Sequence, residues 1–234
     1  MINVDADEVA KFESLAHRWW DADGDFKALH DINGPRVDYI VRRCTVPMKD
    51  VRALDAGCGG GLLTEPLADL GADVTGIDAG DAPLAVARLH AAERGVEGID
   101  YVKATPESFL ETGPGEFALV TCLETLEHVP DVASTVEALA ALTAPGGDVF
   151  LATINRTPKA FALAIVGAEY VLNILPKGTH TYEKLIRPAE LSRACRDAGL
   201  TVEDIVGVAY NPFTRSCRFG ADVGVNYMLH ARKP

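Results

Sequence analysis

A glycine-rich turn next to a carboxylate is the stretch of this sequence with the clearest chemical potential. The run VRALDAGCGGG places Asp55 just before Gly57, Gly59, Gly60 and Gly61. Glycines tolerate positive φ and let a ligand approach the backbone, while amides at the start of a following helix donate to polar ligand atoms. A carboxylate beside such a turn repels a pyrophosphate and attracts a cation. We therefore predict that this turn binds a polar ligand that carries positive charge.

A second carboxylate, Asp78, ends the apolar run DVTGID. At about twenty residues beyond the glycine turn, a carboxylate can accept hydrogen bonds from both hydroxyls of a ribose. Alone, Asp78 before Ala-Gly is equally typical of a turn-forming aspartate. Together with the turn it favours S-adenosylmethionine, which has an amino group, a sulfonium and a ribose. The run G-x-G-G-G also departs from the G-x-G-x-x-G of dinucleotide sites.

Three ionisable residues, Glu124, Glu127 and His128, lie close together in TCLETLEH. An imidazole has an unperturbed pKa that suits a general base, so His128 is our candidate catalytic residue. The two carboxylates and the imidazole would alternatively hold a magnesium ion, although imidazole is an unusual magnesium ligand. A third interpretation gives His128 and its neighbouring glutamate only the task of organising the loop by hydrogen bonds.

Alternating strands and helices must position these residues. We predict a strand that ends near Asp55 and further strands at 73–78, 99–104, 117–124 and 148–154, with helices over 61–70, 82–94 and 131–142 between them. This alternation is typical of an α/β protein with a parallel sheet covered by helices on both faces. Sites in such sheets lie at the carboxyl ends of the strands, where Asp55, Asp78 and Glu124 fall.

The two ends of the chain complete the predicted fold. Asp5 and Glu8 have the spacing of a capping box before an apolar helical face, and Pro35 suits the first turn of a second helix. Near the C-terminus we predict a helix over 188–200 and strands in TVEDIVGVAY and VNYMLHA. Because the sequence contains no repeat or linker, we predict one domain over 1–234 with an N-terminal helical cap over 1–45.

Charge and cysteine content limit the function classes. The chain has 22 Lys plus Arg against 34 Asp plus Glu, a net charge of −12 that disfavours nucleic acid as a partner. The start MINVDADEVAKF lacks the pattern of a signal or transit peptide. The five cysteines are scattered without a C-x-x-C motif, which favours neither disulfides nor a zinc site. We therefore expect a cytoplasmic protein.

Several motifs resemble a known family. Four stretches resemble, in order and spacing, the motifs of class I S-adenosylmethionine-dependent methyltransferases: LDAGCGGG, GID, TCLETLEHVPD and APGGDVFLATINR. Five others resemble the narrower ubiquinone biosynthesis O-methyltransferase family: KFESLAHRWWDADGDFKALHDING, VGAEYVLNILPKGTH, IRPAEL, YNPF and VNYMLH. This likeness covers nearly the whole chain. It implies a doubly wound, seven-stranded, mostly parallel Rossmann-like sheet with N-terminal helices and a helical lid insert.

The resemblance also implies a reaction and a set of site residues. Family members methylate phenolic hydroxyls of polyprenylated ubiquinone precursors at two steps, with S-adenosylmethionine as the methyl donor. The protein must then align the two reactants and help to remove the phenolic proton. Family correspondence places Arg36 beside the methionine carboxylate, with which a guanidinium can form a bidentate pair. The full set of cofactor-binding residues that we predict is Arg36, Asp55, Gly57, Gly59, Asp78 and Leu123.

Other function classes remain open from the sequence alone. One is a membrane-associated scaffold of a quinone-synthesis complex that keeps the fold without turnover, and another is a methyltransferase with a different small-molecule acceptor. A nicotinamide-binding dehydrogenase is a third. Nothing at Asp55, Gly57 or Asp78 is degraded, which favours catalysis. Other ubiquinone-biosynthesis proteins are further expected partners of the methyltransferase.

The insert at 156–187 contains an apolar stretch, 160–175, with Glu169 as its single charge. As a helix the stretch would reach about 24 Å, which is short of the roughly 30 Å of a hydrocarbon core. The insert carries five basic residues and two acidic ones in an otherwise acidic chain. We predict a lid that touches the anionic inner face of the membrane, where the polyprenyl substrate partitions. Packing of the lid on the protein's own core is the alternative.

We predict that the intact chain binds liposomes containing phosphatidylglycerol and that added salt weakens this binding, because screening reduces attraction between basic residues and anionic lipid. Sedimentation with these liposomes, and with neutral phosphatidylcholine liposomes as the control, measures the effect. Deletion of residues 160–176 should abolish binding. An intact chain that stays in the supernatant at low salt would contradict the prediction.

Overall fold

The computed structural model describes residues 3–162 and 182–234. Two helices come first, α1 (Ala6–Leu15) and α2 (Lys27–Arg43), with a 3₁₀ turn (Ala16–Arg18) between them. The alternating part follows, and comprises β1 (Arg52–Ala56), α3 (Thr64–Asp69), β2 (Asp73–Asp78), α4 (Asp81–Arg94), β3 (Ile99–Lys103), α5 (Pro106–Glu111), β4 (Phe117–Leu123), α6 (Val132–Leu142) and β5 (Thr143–Ile154). The C-terminal part contains α7 (Pro158–Ala160), α8 (Pro188–Asp197), β6 (Thr201–Asn211), β7 (Ser216–Gly220) and β8 (Asn226–Arg232).

In the described part of the chain these strands form one sheet of eight, in the order β3-β2-β1-β4-β5-β8-β6-β7. The first five strands in this order pair in parallel, and β8, β6 and β7 continue the sheet in antiparallel fashion. The predicted α/β fold class is confirmed. The predicted count of seven strands was one too low, because β7 pairs with the outer edge of β6 as the second arm of a hairpin.

The core lies on both faces of this sheet. Side chains alternate along each strand, so neighbouring residues of β1 enter opposite layers. One layer contains Leu54, Ile77, Val120, Leu151 and Leu229 together with residues of α6 and α8. The other contains Ala53, Val74, Leu119, Phe150 and Met228 together with residues of α2 and α3. This burial on both sides explains why the central strands are apolar without a polar face.

Helix α2 corrects one prediction. Pro35 lies inside this helix and not in its first turn, since α2 already begins at Lys27. A proline inside a helix removes one backbone donor and crowds the preceding turn. The buried stripe of Ile32, Arg36 and Ile40 nevertheless continues across it. Packing of this stripe therefore stabilises the helix across Pro35, a residue that local sequence rules would place in the first turn.

The start of α1 confirms half of the predicted capping box. Asp5 is the N-cap, and its carboxylate accepts from the backbone amides of Asp7 and Glu8. The Glu8 carboxylate does not reach back to the cap and instead contacts His128, more than a hundred residues away. Sequence spacing thus found the helix start but assigned the Glu8 side chain to the wrong partner.

Two other parts of the prediction have different outcomes. Helix α5 was not predicted, although Thr105 and Ser108 form a capping box around Pro106 at its first turn. The apolar stretch predicted as a lid helix falls largely on residues 163–181, which lie outside the described residues.

Asp148 ties the end of α2 to the centre of the sheet. Its fully buried carboxylate accepts from the backbone N–H and the hydroxyl of Thr45, at 2.7 and 2.6 Å, and from Nε2 of His230 at 2.8 Å. Burial alone would raise the pKa of Asp148, but the hydrogen bonds from His230 and Thr45 outweigh burial and hold the pKa below its usual range. The ionised carboxylate is therefore favoured in the folded protein.

We expect Asp148→Ala to lower the free energy of unfolding by about 3 kcal/mol at pH 7, because a buried partner of His230 and Thr45 is lost. A carboxyl with a lowered folded-state pKa stabilises above its unfolded pKa of about 4 and loses this contribution as pH falls below it. Urea unfolding should therefore show a larger difference from the unmodified chain at pH 7 than at pH 3. Asp100→Ala, at an exposed position of β3, is the control. Equal effects of the two substitutions would contradict the prediction.

Candidate functional site

A cavity lies at the carboxyl ends of β1, β2, β3 and β4, and the N-terminal segment forms its other wall. Most of the predicted site residues line it, namely Arg36, Asp55, Gly57, Asp78, Leu123, Glu124 and His128. Gly59 and Glu127 do not line the cavity: the Gly59 amide donates to Asp78, which does, and Glu127 directly precedes His128. Parallel strands bring their carboxyl ends to one edge, so residues far apart in sequence meet there.

Tight side-chain packing requires the glycines of the turn after β1. Gly57 and Gly59 have φ values of 72° and 53°, in the left-handed region that favours glycine. A Cβ on Gly59 or Gly60 would overlap the indole of Trp19, and a Cβ on Gly57 would overlap Thr125. The space that these glycines leave is therefore used by protein side chains as well as by the cavity.

Trp19 covers the glycine turn and is part of the cavity wall. Its indole is 8% exposed, stacks on Phe26 with ring centroids 4.2 Å apart, and lines the cavity. Its Nε1 is buried without a hydrogen-bond partner among the described residues. Trp20 packs differently, since it stacks on His90 of α4 and donates to the Gly60 carbonyl. The two adjacent tryptophans thus have separate roles.

Asp55 is buried at the end of β1, and its two carboxylate oxygens accept from the hydroxyls of Thr121 and Thr64, at 2.8 and 2.7 Å. Burial raises the pKa of Asp55 to about 6, and the two hydroxyls offset only part of that rise. A nearby cation would favour the ionised form and lower the pKa again. The residue is therefore suited to a cationic group in the cavity, as its position before the glycines predicts.

Asp78 connects the turns that follow β1 and β2. Its Oδ2 accepts from the Gly59 amide at 3.0 Å, and its Oδ1 accepts from the Gly80 amide at 2.8 Å. Burial raises the pKa of this carboxyl, and the backbone amides act in the opposite direction. An ionised carboxylate can accept about four hydrogen bonds, so acceptor capacity remains on Asp78 for ligand hydroxyls. The turn-forming and ligand-binding interpretations of Asp78 are therefore compatible.

Arg36 and Glu124 both line the cavity and form a partly buried ion pair. A guanidinium Nη2 donates to Oε1 of Glu124, and the two side chains are 5% and 17% exposed. Glu124 has a φ of 53°, which costs a non-glycine residue on the order of 1 kcal/mol. Its amide donates to the Ala152 carbonyl at 2.9 Å, which holds this strained turn against β5. The Nε of Arg36 is buried without a partner among the described residues.

The structure does not bring Glu124, Glu127 and His128 together as metal ligands. Glu124 binds Arg36, the buried Glu127 accepts from the Thr153 hydroxyl at 2.7 Å, and Nδ1 of His128 contacts Glu8. Among residues 3–162 and 182–234, no group of three or more His, Cys, Asp or Glu side chains is arranged to hold a metal ion. In this arrangement each of the three side chains contacts a different residue, and magnesium binding by them stays a prediction.

His128 lies in a 3₁₀ turn (Leu126–His128) at the edge of the cavity. Its Nδ1 is 3.1 Å from Oε2 of Glu8, and its ring packs edge-on against Phe12 with centroids 5.0 Å apart. Both partners belong to α1. The imidazole of His128 marks this residue as a candidate in the sequence, whereas no local pattern indicates that Glu8 and Phe12 are its neighbours.

The set of charges and donors fits S-adenosylmethionine. The carboxylates of Asp55 and Asp78 offer negative charge to an ammonium or a sulfonium, and they offer acceptors to ammonium or ribose hydroxyl protons. Nε of Arg36 and Nε1 of Trp19 are buried donors that lack partners in the described residues, so each is available to an acceptor on a ligand. A cavity with both kinds of group is suited to a zwitterionic nucleoside. The pyrophosphate of a dinucleotide would meet the carboxylates unfavourably.

The comparisons with known proteins agree with this geometry. A family model described as a methyltransferase domain matches residues 16–205. A ubiquinone biosynthesis O-methyltransferase of Saccharophagus degradans is 56% identical over 233 residues, which cover 99% of this chain and 98% of that protein. The protein of the same name from Azotobacter vinelandii is 57% identical over 229 residues, which cover 98% and 97%.

Solved structures share the fold at low sequence identity. Magnesium protoporphyrin IX methyltransferase from Synechocystis with bound SAH superposes with a TM-score of 0.71 at 19% identity, and covers 97% of this chain and 98% of that one. The same enzyme with bound SAM gives a TM-score of 0.66 at 18% identity, with 99% and 100% coverage. At these identities the likeness concerns the fold alone.

We expect Asp78→Ala to weaken S-adenosylmethionine binding at least roughly tenfold, because a bidentate acceptor and the link between two turns are both lost. Isothermal titration calorimetry measures the affinity. Asp81→Ala removes a carboxylate three residues away whose side chain is 71% exposed and paired with Lys103, so it should leave the affinity unchanged. Equal affinities for the two variants would exclude a binding role for Asp78.

Proposed function

The chain belongs to the ubiquinone biosynthesis O-methyltransferase family, and on that premise we propose that its cavity methylates phenolic hydroxyls of polyprenylated ubiquinone precursors at both O-methylation steps. S-adenosylmethionine, when bound, supplies an electrophilic methyl group on a sulfonium. The observation that carries the proposal is the meeting of Asp55, Asp78, Arg36 and His128 at one cavity.

The cofactor-facing residues have distinct roles in this proposal. Asp78 accepts the ribose hydroxyls while its other hydrogen bonds fix the glycine turn. Asp55 provides negative charge near the cationic part of the cofactor. Arg36 binds the methionine carboxylate, and its pair with Glu124 orients the guanidinium. Leu123 and Gly57 shape the wall against which the nucleoside lies.

His128 is the proposed general base. A phenol has an unperturbed pKa near 10, so the acceptor oxygen is mostly protonated at neutral pH. An imidazole beside the cavity can take this proton as the oxygen attacks, and such catalysis contributes typically 10²–10⁴-fold. Phe12 packs against His128, and Val9 and Leu29 also line the cavity with apolar surface, which suits an aromatic ring.

The polyprenyl tail of the proposed substrate partitions into the membrane, and for this reason we also propose a membrane contact. Within the described residues no helix is long and apolar enough to cross a membrane. Three basic residues of the insert form ion pairs with acidic residues of the same chain: Arg156 with Glu190, Lys159 with Asp222, and Lys184 with Asp5 and Glu8. The positive charge of the insert is thus partly balanced, contrary to the simple count.

Exposed ion pairs of this kind contribute at most about 1 kcal/mol each. An anionic lipid surface would compete with Asp222 and Glu190 for the cations, so the pairs do not exclude attachment. We therefore keep the proposal that the protein works in the cytoplasm, at the inner face of the membrane, with segment 156–187 as its contact. Other ubiquinone-biosynthesis proteins are further proposed partners at that surface.

We expect the purified chain to transfer methyl groups from S-adenosylmethionine to a polyprenylated catechol and to a demethylubiquinol, because both present a phenolic hydroxyl. Mass spectrometry of the product measures the added methyl group. His128→Ala should lower kcat roughly a hundredfold, since the proton acceptor is lost, and leave the affinity for S-adenosylmethionine unchanged.

Three outcomes decide between the candidate functions. A chain that binds S-adenosylmethionine but methylates neither acceptor would support a scaffold and overturn the proposed enzyme. Calorimetric binding of NAD in place of S-adenosylmethionine would indicate a dehydrogenase. A normal kcat in His128→Ala would leave the methyl transfer in place and remove His128 as its base.

A further inference from the structure

Glu107 lines the cavity with a carboxyl group whose two oxygens have different surroundings. It lies in the first turn of α5, a short step after the end of β3, and lines the same cavity as Asp78. Three donors hold its Oε1: the side-chain amide of Asn3 at 2.8 Å, the hydroxyl of Thr135 at 3.0 Å and the hydroxyl of Ser134 at 3.3 Å. The other oxygen, Oε2, is buried and has no hydrogen-bond partner within residues 3–162 and 182–234.

These donors come from two separate parts of the chain and fix the orientation of the carboxyl. Asn3 precedes α1, whereas Ser134 and Thr135 belong to α6. The Asn3 side chain is itself held, because its NH₂ group also donates to the Asp131 carbonyl and its oxygen accepts from the Asp131 amide, both at 2.8 Å. Since Oε1 is occupied in this way, Oε2 is the oxygen that remains for a donor on a ligand.

The backbone donors of the turn between β3 and α5 have partners within the chain. Pro106 has no N–H, and the backbone N–H of Thr105 donates to the Ser108 hydroxyl at 2.9 Å. The amide of Ala104 donates to the backbone carbonyl of Asp78 at 3.0 Å, which holds this turn beside the end of β2. The backbone donors of residues 104–106 are thus not free for a ligand, whereas the acceptor next to them is.

The order of the strands indicates which part of S-adenosylmethionine reaches this wall. Neighbouring strands are about 4.8 Å apart, and the order β3-β2-β1 places their carboxyl ends in a row. Asp55 lies at the end of β1 and Asp78 at the end of β2. With the cationic part of the cofactor beside Asp55 and its ribose on Asp78, as proposed above, the base extends to the end of β3. Adenine carries one N–H donor group there, its exocyclic amine.

We propose that Glu107 is a specificity-determining residue for the methyl donor: its Oε2 accepts a hydrogen bond from the exocyclic amine of adenine, and Asn3 positions the carboxyl for this contact. The inference rests on the proposed function, in which Asp78 holds the ribose, and deepens it by assigning the base. Hypoxanthine has a carbonyl oxygen in place of the amine, so it would set two acceptors against each other. The site should therefore select adenine over hypoxanthine.

A purely structural role for Glu107 accounts for only half of its carboxyl group. To join Asn3 to α6 requires one acceptor, which Oε1 supplies. A glutamine would serve this purpose equally well, because its carbonyl oxygen accepts from the same donors. Such a role leaves the buried Oε2 without a donor, and buried polar atoms in folded proteins usually have one.

The test compares two ligands on the full-length chain by isothermal titration calorimetry: S-adenosylhomocysteine and S-inosylhomocysteine, which carries hypoxanthine in place of adenine. The unmodified chain should bind S-adenosylhomocysteine at least roughly tenfold more tightly. In Glu107→Gln this preference should fall below about threefold, because the amide NH₂ can donate to the hypoxanthine carbonyl. Glu111→Gln, which changes an exposed carboxyl at the end of the same helix, is the control and should keep the full preference.

Asn3→Ala tests the positioning of the carboxyl. Loss of a donor to Oε1 should weaken the binding of S-adenosylhomocysteine more than that of S-inosylhomocysteine, because Oε2 is then no longer fixed where the amine needs it. Asp7→Ala, at an exposed position of the N-terminal segment, should leave both affinities unchanged. An Asn3→Ala variant with the full preference for adenine would overturn the positioning role of Asn3.

The results separate this inference from the proposed function. A chain that binds neither ligand would overturn the proposed cofactor site as a whole. Equal affinities of the unmodified chain for the two ligands, or an unchanged preference in Glu107→Gln, would overturn the role of Glu107 and leave the methyl transfer in place. The comparison of ligands on the unmodified chain needs no substitution, so it decides the matter even where a variant fails to fold in a thermal melt.

Discussion

Carboxylates that are fully or partly removed from water at the carboxyl ends of three neighbouring strands are the constraint on which the site depends. A buried carboxylate is costly unless donors surround it. Each of these carboxylates has different donors: two hydroxyls donate to Asp55, two backbone amides donate to Asp78, and the guanidinium of Arg36 donates to Glu124. These donors come from α2, α3, β4, the glycine turn and the turn after β2. The fold is thus arranged around the charges at this edge of the sheet.

The N-terminal segment completes this arrangement and is more than a cover. Trp19 packs on the glycine turn and requires Gly59 and Gly60 to be glycine. Helix α1 brings Glu8 and Phe12 to His128. Residues that precede the parallel sheet in sequence therefore contact both the glycine turn and His128.

Sequence patterns correctly predicted the elements that depend on residues close together in the chain. The strand at 73–78 has the predicted bounds, since apolar composition and flanking turn residues mark it clearly. Pro35 was placed at a helix start because local rules favour it there, whereas the buried stripe of α2 continues through it. Strand β7 was missed because its short polar sequence becomes a strand only by pairing with β6. The errors thus occur where long-range packing decides.

The sequence by itself determined the order of strands and helices, the glycine turn, and the carboxylates that end β1 and β2, because each depends on residues close together in the chain. Tertiary structure decided which partners these side chains have. The ion pair of Arg36 with Glu124 and the contact of Glu8 with His128 each join residues about ninety to more than a hundred positions apart. No local pattern encodes such contacts, because they form only when the sheet brings its strand ends and the N-terminal helices to one edge.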